Sequence, residues 1–228
     1  MPLRLVDVQQ SILRKNTTLA LELRERFARN GTYVFNLLSS PGAGKTTLLE
    51  ETLRGLGERY SVAALVGDQA TDNDAARLAR SGAPVRQITT GAECRLDAQM
   101  VTAALADFAP SGELPDVLAI ENVGNLICPA EYDLGEDLRV VVFSVTEGED
   151  KPLKYPLAFA TAHAAVLSKI DLSGACGFDR AAALANIDRV HPGLPVIELS
   201  ARTGEGMDAW LQFLTERIAG KRGMVPAG

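Results

Sequence analysis

The chain has few residues of the kinds that stiffen secreted proteins or store metal. It holds three cysteines and two histidines in 228 residues. Three thiols, an odd number, do not make a disulfide framework, so a reducing cytoplasm is the expected compartment. Two histidines cannot form a His-rich tract for nickel buffering. Positive charge is also scarce. Lys and Arg number 23 against 29 Asp and Glu, a net charge of −6. That argues against sequence-blind binding to nucleic acid, whose phosphates demand clustered Lys and Arg. Long apolar runs are missing. A membrane helix needs roughly 18 apolar residues, and even the stretch from Pro156 to Leu167 is interrupted by Thr161 and His163. No membrane contact is expected. The first residues carry Arg4, Asp7, Arg14 and Lys15 without an apolar core, so no secretory signal is expected.

What remains is an ordinary globular composition, 46% hydrophobic and 23% charged. It suits one large domain with a real core. Residues Leu5 to Phe27 are charged and amphipathic, with Leu5, Val8, Ile12, Leu19 and Leu23 at loosely helical spacing; Asn30-Gly31 closes this stretch. Short apolar runs then alternate with helix-length segments. Strands are predicted at Tyr33 to Leu38, Val62 to Val66, Val85 to Thr89, Val117 to Ile120, Val140 to Val145, Ala164 to Leu167 and Val196 to Leu199. Helices are predicted at Lys45 to Arg59, Asp72 to Ser81, Leu96 to Phe108, Leu153 to Ala162, Asp179 to Val190 and Gly206 to Ile218. The class is α/β, a mostly parallel sheet flanked by helices and buried on both faces. The expected division is a helical extension over 1–30, a nucleotide-binding domain over 31–220 and a flexible tail over 221–228. Chemistry is then expected just past the carboxyl ends of the strands.

The first strand is followed by Ser39-Ser40-Pro41-Gly42-Ala43-Gly44-Lys45-Thr46-Thr47 and a helix. Gly42 and Gly44 let backbone N–H groups turn inward around phosphate oxygens, and Pro41 and Ala43 complete the turn. The helix N-terminus adds partial positive charge. Lys45 can reach the β- and γ-phosphates, and the Thr46 hydroxyl can ligate Mg²⁺. The usual first glycine of this loop is Ser39 here. A glycine-rich turn without a ligand is the plain alternative, and the order strand, loop, Gly-Lys-Thr-Thr, helix weighs against it. The doubled Thr46-Thr47 resembles the dimerising (SIMIBI) branch of P-loop NTPases.

The sixth strand ends in Ser168-Lys169-Ile170-Asp171. A carboxylate there can accept from guanine N1 and the 2-amino group, and the Lys169 stem can lie along the purine. This resembles the Asn-Lys-x-Asp motif of GTPases, with Ser168 in the Asn place. Ser200-Ala201 ends the last strand, where GTPases close the base pocket. Two acids follow other strands, Asp68 and Glu121. Glu121 stands in the Walker-B position and is assigned to Mg²⁺. Asp68 either holds Mg²⁺ or orients the attacking water, and Gly124 offers an N–H to the γ-phosphate. Spacing alone reveals no arginine finger.

Several runs together resemble one family, the hydrogenase nickel-incorporation GTPases (HypB). They are residues 39–49, 67–75, Thr90-Gly91 with Cys94 and Leu96-Asp97-Ala98, residues 120–129, Asp133-Leu134-Gly135-Glu136, residues 146–156 and Thr203-Gly204-Glu205-Gly206. Glu-Asn-Val-Gly-Asn-Leu-x-Cys-Pro and Glu-Asp-Lys-Pro-Leu-Lys-Tyr-Pro are the most specific of these. The resemblance spans Val6 to about Leu214. It implies a GTP-hydrolysing metallochaperone that dimerises with GTP and delivers Ni²⁺ to the large subunit of a [NiFe]-hydrogenase. The implied partners are the nickel chaperone HypA and, in some systems, a nickel-loading prolyl isomerase. Lys151 and Lys154 resemble lysines that contact nucleotide, in some relatives across the dimer; a solvated charged loop is the alternative.

The family's interfacial metal site uses Cys-His and a later Cys. Cys94 and Cys128 match, but the His place holds Arg95, and a guanidinium cannot ligate a metal. Two thiolates fall short of the usual three or four ligands for Ni²⁺ or Zn²⁺. Two-fold symmetry would complete a four-thiolate site. Otherwise Arg95 forms an ion pair in place of the metal or activates Cys94, or the two cysteines are small buried residues. An N-terminal cysteine motif for nickel is absent. His163 and His191, expected on helices, and Cys176, expected in a glycine-rich loop, match no motif. The rivals are a urease nickel-delivery GTPase, whose Cys-Pro-His motif is absent, a G-protein that guards a cobalamin enzyme, a P-loop kinase or ligase, and a scaffold without catalysis.

Overall fold

A computed structural model describes residues 5–68, 73–109 and 111–223. Seven strands form one sheet: β1 (Tyr33–Ser39), β2 (Val62–Asp68), β3 (Val85–Thr89), β4 (Val117–Gly124), β5 (Leu138–Ser144), β6 (Ala164–Ser168) and β7 (Val196–Glu198). Every pairing is parallel. The spatial order is β3-β2-β4-β1-β5-β6-β7. The chain fills one side of β1 first and then crosses to the other. Such a reversal leaves a crevice at the carboxyl ends of the central strands.

The sheet is coated on both faces, as its continuous apolar strands require. Tyr33, Phe35 and Leu37 of β1 face α2 (Lys45–Gly57) and α9 (Met207–Gly223), where Trp210, Leu214 and Ile218 are buried. Val34 faces the opposite way, toward Ala20, Leu23 and Phe27 of α1 (Leu5–Asn30) and Val101 and Leu105 of α4 (Ala98–Phe108). A third cluster joins Phe143 and Phe159 edge to face, with centroids 5.5 Å apart. The buried Asn16 side chain bonds Asp133 O and the Ala98 N–H, at 2.8 Å each. Thus α1 is stitched to the body by polar as well as apolar contacts. No helix among the described residues is long and apolar enough to cross a membrane.

The predicted strands all form, but several boundaries move for physical reasons. β4 runs on to Gly124, so Glu121 lies within the strand instead of following it. β2 likewise ends at Asp68 itself. The helix predicted over 153–162 is two short ones, α5 (Lys151–Lys154) and α6 (Pro156–Ala160), because Pro156 cannot continue the hydrogen-bond ladder. Asp97 caps α4 by accepting from Met100 N at 2.8 Å, which delays the start of the helix to Ala98. α3 is α-helical only over Asn73–Leu78 and tightens to a 3₁₀ turn at Ala79–Ser81. α9 continues through Gly223, where the sequence suggests a frayed tail from Lys221; residues 224–228 lie outside the described residues. Lys221 bonds Asp137 at 2.6 Å and Arg222 bonds Asp116 at 2.9 Å, which holds that last turn. Neither histidine lies inside a helix. His163 precedes β6 and His191 caps the end of α8 (Arg180–Val190). Cys176 ends the short α7 (Ser173–Cys176) and is exposed.

Candidate functional site

The loop between β1 and α2 wraps a cavity of about 550 Å³ lined by Gly42, Gly44, Lys45, Thr46, Asp68 and Gly124, among others. Gly42 and Gly44 have φ of 77° and 92°, a backbone that side chains resist, so these two glycines are dictated by the turn. Ser39 is not left-handed and simply ends β1, which is why a glycine is dispensable there. Pro41 stands 3.3 Å from where a Cβ on Gly124 would be, so the two segments close on each other across the cavity.

Glu121, on β4 beside β1, lies buried just behind this cavity and meets two of its lining residues. Its Oε1 accepts from Lys45 Nζ at 3.0 Å and from Thr46 Oγ1 at 2.7 Å. Lysine and glutamate are 9% and 1% exposed, so this is a buried ion pair. Glu121 Oε2 is buried with no hydrogen-bond partner among the described residues. A carboxylate oxygen left so is costly unless a cation or donor meets it. Two hard oxygen donors, the Thr46 hydroxyl and Glu121 with its orphan Oε2, fit Mg²⁺. The neighbouring residues 69–72, part of the run that follows Asp68, lie outside the described residues.

A second cavity of about 380 Å³ adjoins the first and is lined by Lys169, Asp171, Ser200 and Ala201, with Arg202. Lys169 is the one non-glycine residue with positive φ among those described, at 59°. That turn aims its amine back at the phosphate loop, where it donates to Gly42 O at 2.6 Å. Ser168, in the position of the usual Asn, donates to Ala43 O at 2.6 Å. The base-side motif and the phosphate loop are thus bolted together. Asp171 is exposed at the cavity edge, able to accept from a ligand.

Lys151 and Lys154 part company. Lys151 donates to Ser40 Oγ at 2.9 Å and pairs with Glu147 at 3.0 Å. Lys154 points to solvent and pairs with Asp150 at 2.7 Å, and that bond holds the Asp150 carboxyl below its ordinary pKa. Lys154 lines neither cavity.

Cys94 and Cys128 come together, sulfur against sulfur, with Cα atoms 6.3 Å apart. No third potential ligand joins them: no group of three His, Cys, Asp or Glu suited to a metal occurs among the described residues. Arg95 pairs with Glu93 and stacks its guanidinium on Tyr132, 3.9 Å from the ring centroid. The side chain in the usual histidine place is therefore committed elsewhere.

A polar chain that the motifs do not reveal lies behind both cysteines. Arg139 donates to the carbonyls of Ala130 and Tyr132, at 3.0 and 2.9 Å, clamping the turn that begins at Cys128. It pairs with Glu136 at 2.7 Å. Glu136 accepts from Asn36 at 3.4 Å, and Asn36 accepts from Asn122 at 3.5 Å. Asn122 in turn accepts from the Leu96 N–H at 3.1 Å, two residues from Cys94. Asn125 also donates to Cys94 O at 3.3 Å. Asn36 and Asn122 are fully buried, and an Asn within a strand that reads as apolar is the signal that could have found this chain.

A strand, a glycine-bearing loop, a helix opening on Lys-Thr, an acid from the next strand and an adjoining base-sized cleft define a P-loop nucleotide-binding protein. Residues 33–198 match the family described as "CobW/HypB/UreG, nucleotide-binding domain". The chain is 50% identical over 219 residues to hydrogenase maturation factor HypB of Rhizobium leguminosarum bv. viciae, covering 95% of this chain and 73% of that protein. The solved structure of HypB from Helicobacter pylori in complex with nickel superposes with a TM-score of 0.84 at 38% identity, covering 91% of this chain and 97% of that one. The signal recognition particle 54 kDa protein of Aeropyrum pernix, solved with GDP, is 16% identical with a TM-score of 0.55 over 82% of this chain and 49% of that one. That likeness speaks to the fold alone. The chain belongs to the HypB family of hydrogenase maturation factors.

Proposed function

We propose that the protein is a GTP-hydrolysing metallochaperone that assists Ni²⁺ insertion into the large subunit of a [NiFe]-hydrogenase. The observation that carries this reading is the continuous site from Glu121, Lys45 and Thr46 to Asp171. One end suits a Mg²⁺-bound triphosphate and the other a guanine. The family supplies the client.

The residues divide the work as follows. Backbone N–H groups of Gly42 to Thr47 and the Lys45 amine hold the β- and γ-phosphates. Lys45 exchanges its bond to Glu121 for phosphate oxygens, which releases the carboxylate for the cation. Thr46 and Glu121 would hold Mg²⁺, which when bound neutralises phosphate charge. Asp68 orients the attacking water or completes the cation shell, and the Gly124 N–H meets the γ-phosphate. Asp171 accepts two hydrogen bonds from guanine, against Lys169, Ser200 and Ala201. Turnover is slow, since the site holds no assigned arginine finger. Lys151, bonded to Ser40, steadies the loop or meets nucleotide; Lys154, exposed and paired with Asp150, exchanges that partner for a nucleotide on a second copy.

GTP and metal are coupled through the polar chain. Glu121 and Asn122 are adjacent, so movement at the phosphate end tilts the residue that bonds Leu96 and, through Asn36 and Glu136, the Arg139 clamp on the Cys128 turn. Ordering of a segment by phosphate is a known two-state device. In this reading GTP joins two copies, and Cys94 and Cys128 from each complete a four-thiolate site for Ni²⁺ or Zn²⁺. HypA and a nickel-loading prolyl isomerase fit as donors to that site. The test is the metal-to-protein ratio and mass of the full chain in Ni²⁺, with and without GTP and Mg²⁺. The expected result is a GTP-dependent dimer holding one Ni²⁺, lost in Cys128→Ala. A ratio unchanged by both GTP and that substitution would overturn the metal part.

A further inference from the structure

The phosphate cavity and the base cleft meet at a waist, and among the described residues only Gly44, Thr47, Arg77 and Lys169 line both. A nucleotide that spans them must pass its nucleoside-proximal phosphate and ribose through that waist. Arg77 belongs to α3, and its Nη2 donates to Thr47 Oγ1 at 2.7 Å. Thr47 sits in the first turn of α2, where backbone N–H groups have no helical acceptor. Arg77 Nε pairs with Glu50 at 3.2 Å, which fixes the guanidinium beside the start of α2. Lys169 Nζ stands across the loop on Gly42 O. Cationic side chains from two different elements therefore flank the place where the two cavities meet, away from the Lys45–Glu121 pair.

We propose that Arg77 binds the α-phosphate of the nucleotide. This deepens the nucleotide reading above and rests on it. The guanidinium keeps its Nε bond to Glu50 and offers its remaining N–H groups to the anion. A contact to the α-phosphate is common to GMP, GDP and GTP. It grips the nucleotide before and after hydrolysis, so α3 stays attached in both states. This separates Arg77 from groups that sense the γ-phosphate. A charged hydrogen bond of this kind corresponds to a loss of about 10- to 100-fold in affinity when removed.

The experiment measures GMP, GDP and GTP affinity by calorimetry for the full chain and for Arg77→Ala, Arg77→Lys and Glu50→Gln. Circular dichroism checks folding, and the ³¹P shift of the α-phosphorus in bound GDP is recorded. Expected is a loss of about 10- to 100-fold for all three nucleotides in Arg77→Ala and a smaller one in Arg77→Lys. Glu50→Gln, which keeps an oxygen acceptor for Nε, should lose less than Arg77→Ala, and the α-phosphorus shift should move most in the Arg77 variants. A loss confined to GTP would overturn the proposal. So would equal losses in Arg77→Ala and Glu50→Gln with an unmoved ³¹P signal, the signature of an arginine that only props α3 on α2. If Arg77→Ala does not fold, wild-type affinity and shift in Arg77→Lys would overturn it. A wild-type chain that ignores GDP would sink the nucleotide reading itself.

Discussion

Replacing Lys45 by Ala should weaken the nucleotide-free fold, not only the binding of nucleotide. Its amine lies 3.0 Å from Glu121, whose side chain is 1% exposed. Removing one member of a buried pair leaves the other charge uncompensated, at a cost of about 3–5 kcal/mol. The Thr46 hydroxyl still donates to the same oxygen at 2.7 Å, which places the loss near the lower end, about 3 kcal/mol. Urea unfolding reports this through Trp210, the single tryptophan and a fully buried one. With a slope of about 2–3 kcal/mol per molar for a domain of this size, the midpoint should fall by about 1–1.5 M. Adding Glu121→Gln to Lys45→Ala removes the stranded charge and should recover most of the loss. Saturating GTP and Mg²⁺ should raise the wild-type midpoint and leave Lys45→Ala unmoved. If Lys45→Ala lies within about 0.5 kcal/mol of wild type, or the double variant is no better, the ion pair does not govern this site.

Two further predictions concern the frame. Thr52 Oγ1 accepts from Trp210 Nε1 at 2.8 Å in the core, so Thr52→Val should strand the indole N–H and lose about 1–3 kcal/mol by urea unfolding, with a change in near-ultraviolet dichroism. Burial works against the Asp133 carboxylate, but Arg24, bonded at 2.9 Å, and the Gly135 N–H hold its pKa below the ordinary value. Asp133 is then ionised more readily folded than unfolded. Its stabilisation is full above the unfolded value of about 3.9 and is lost as pH falls through the lowered one. Arg24→Ala should therefore shrink the wild-type loss of stability as pH falls below about 4; an unchanged acid limb would refute this.

The sheet was legible because buried parallel strands are continuous apolar runs, and the phosphate loop because its glycines and Lys-Thr stand in fixed order. Long-range pairing was not. Periodicity reports which face of an element is buried, and says nothing of its partner. Lys45 and Glu121 each follow from motif position, yet their mutual bond does not, since they stand 76 positions apart. Thr52 and Trp210 are separated by 158 and Asn36 and Glu136 by 100. Arg77 was missed for another reason. It resembles any solvated helix arginine until the fold sets α3 against the start of α2. Arg95 could be read from sequence as a non-ligand, but only the structure gave its partners, Glu93 and Tyr132.

The central claim is that one site grips a triphosphate at Lys45 and a guanine at Asp171. Calorimetric titration of the full chain with GTP and with ATP, each with Mg²⁺, tests it most directly, with Asp171→Asn as the companion. The account predicts one GTP per chain, ATP bound at least 100-fold more weakly, and a shift of preference from GTP to xanthosine triphosphate in Asp171→Asn, whose side chain offers one donor and one acceptor. Absence of heat with GTP, or equal affinity for ATP, would contradict it.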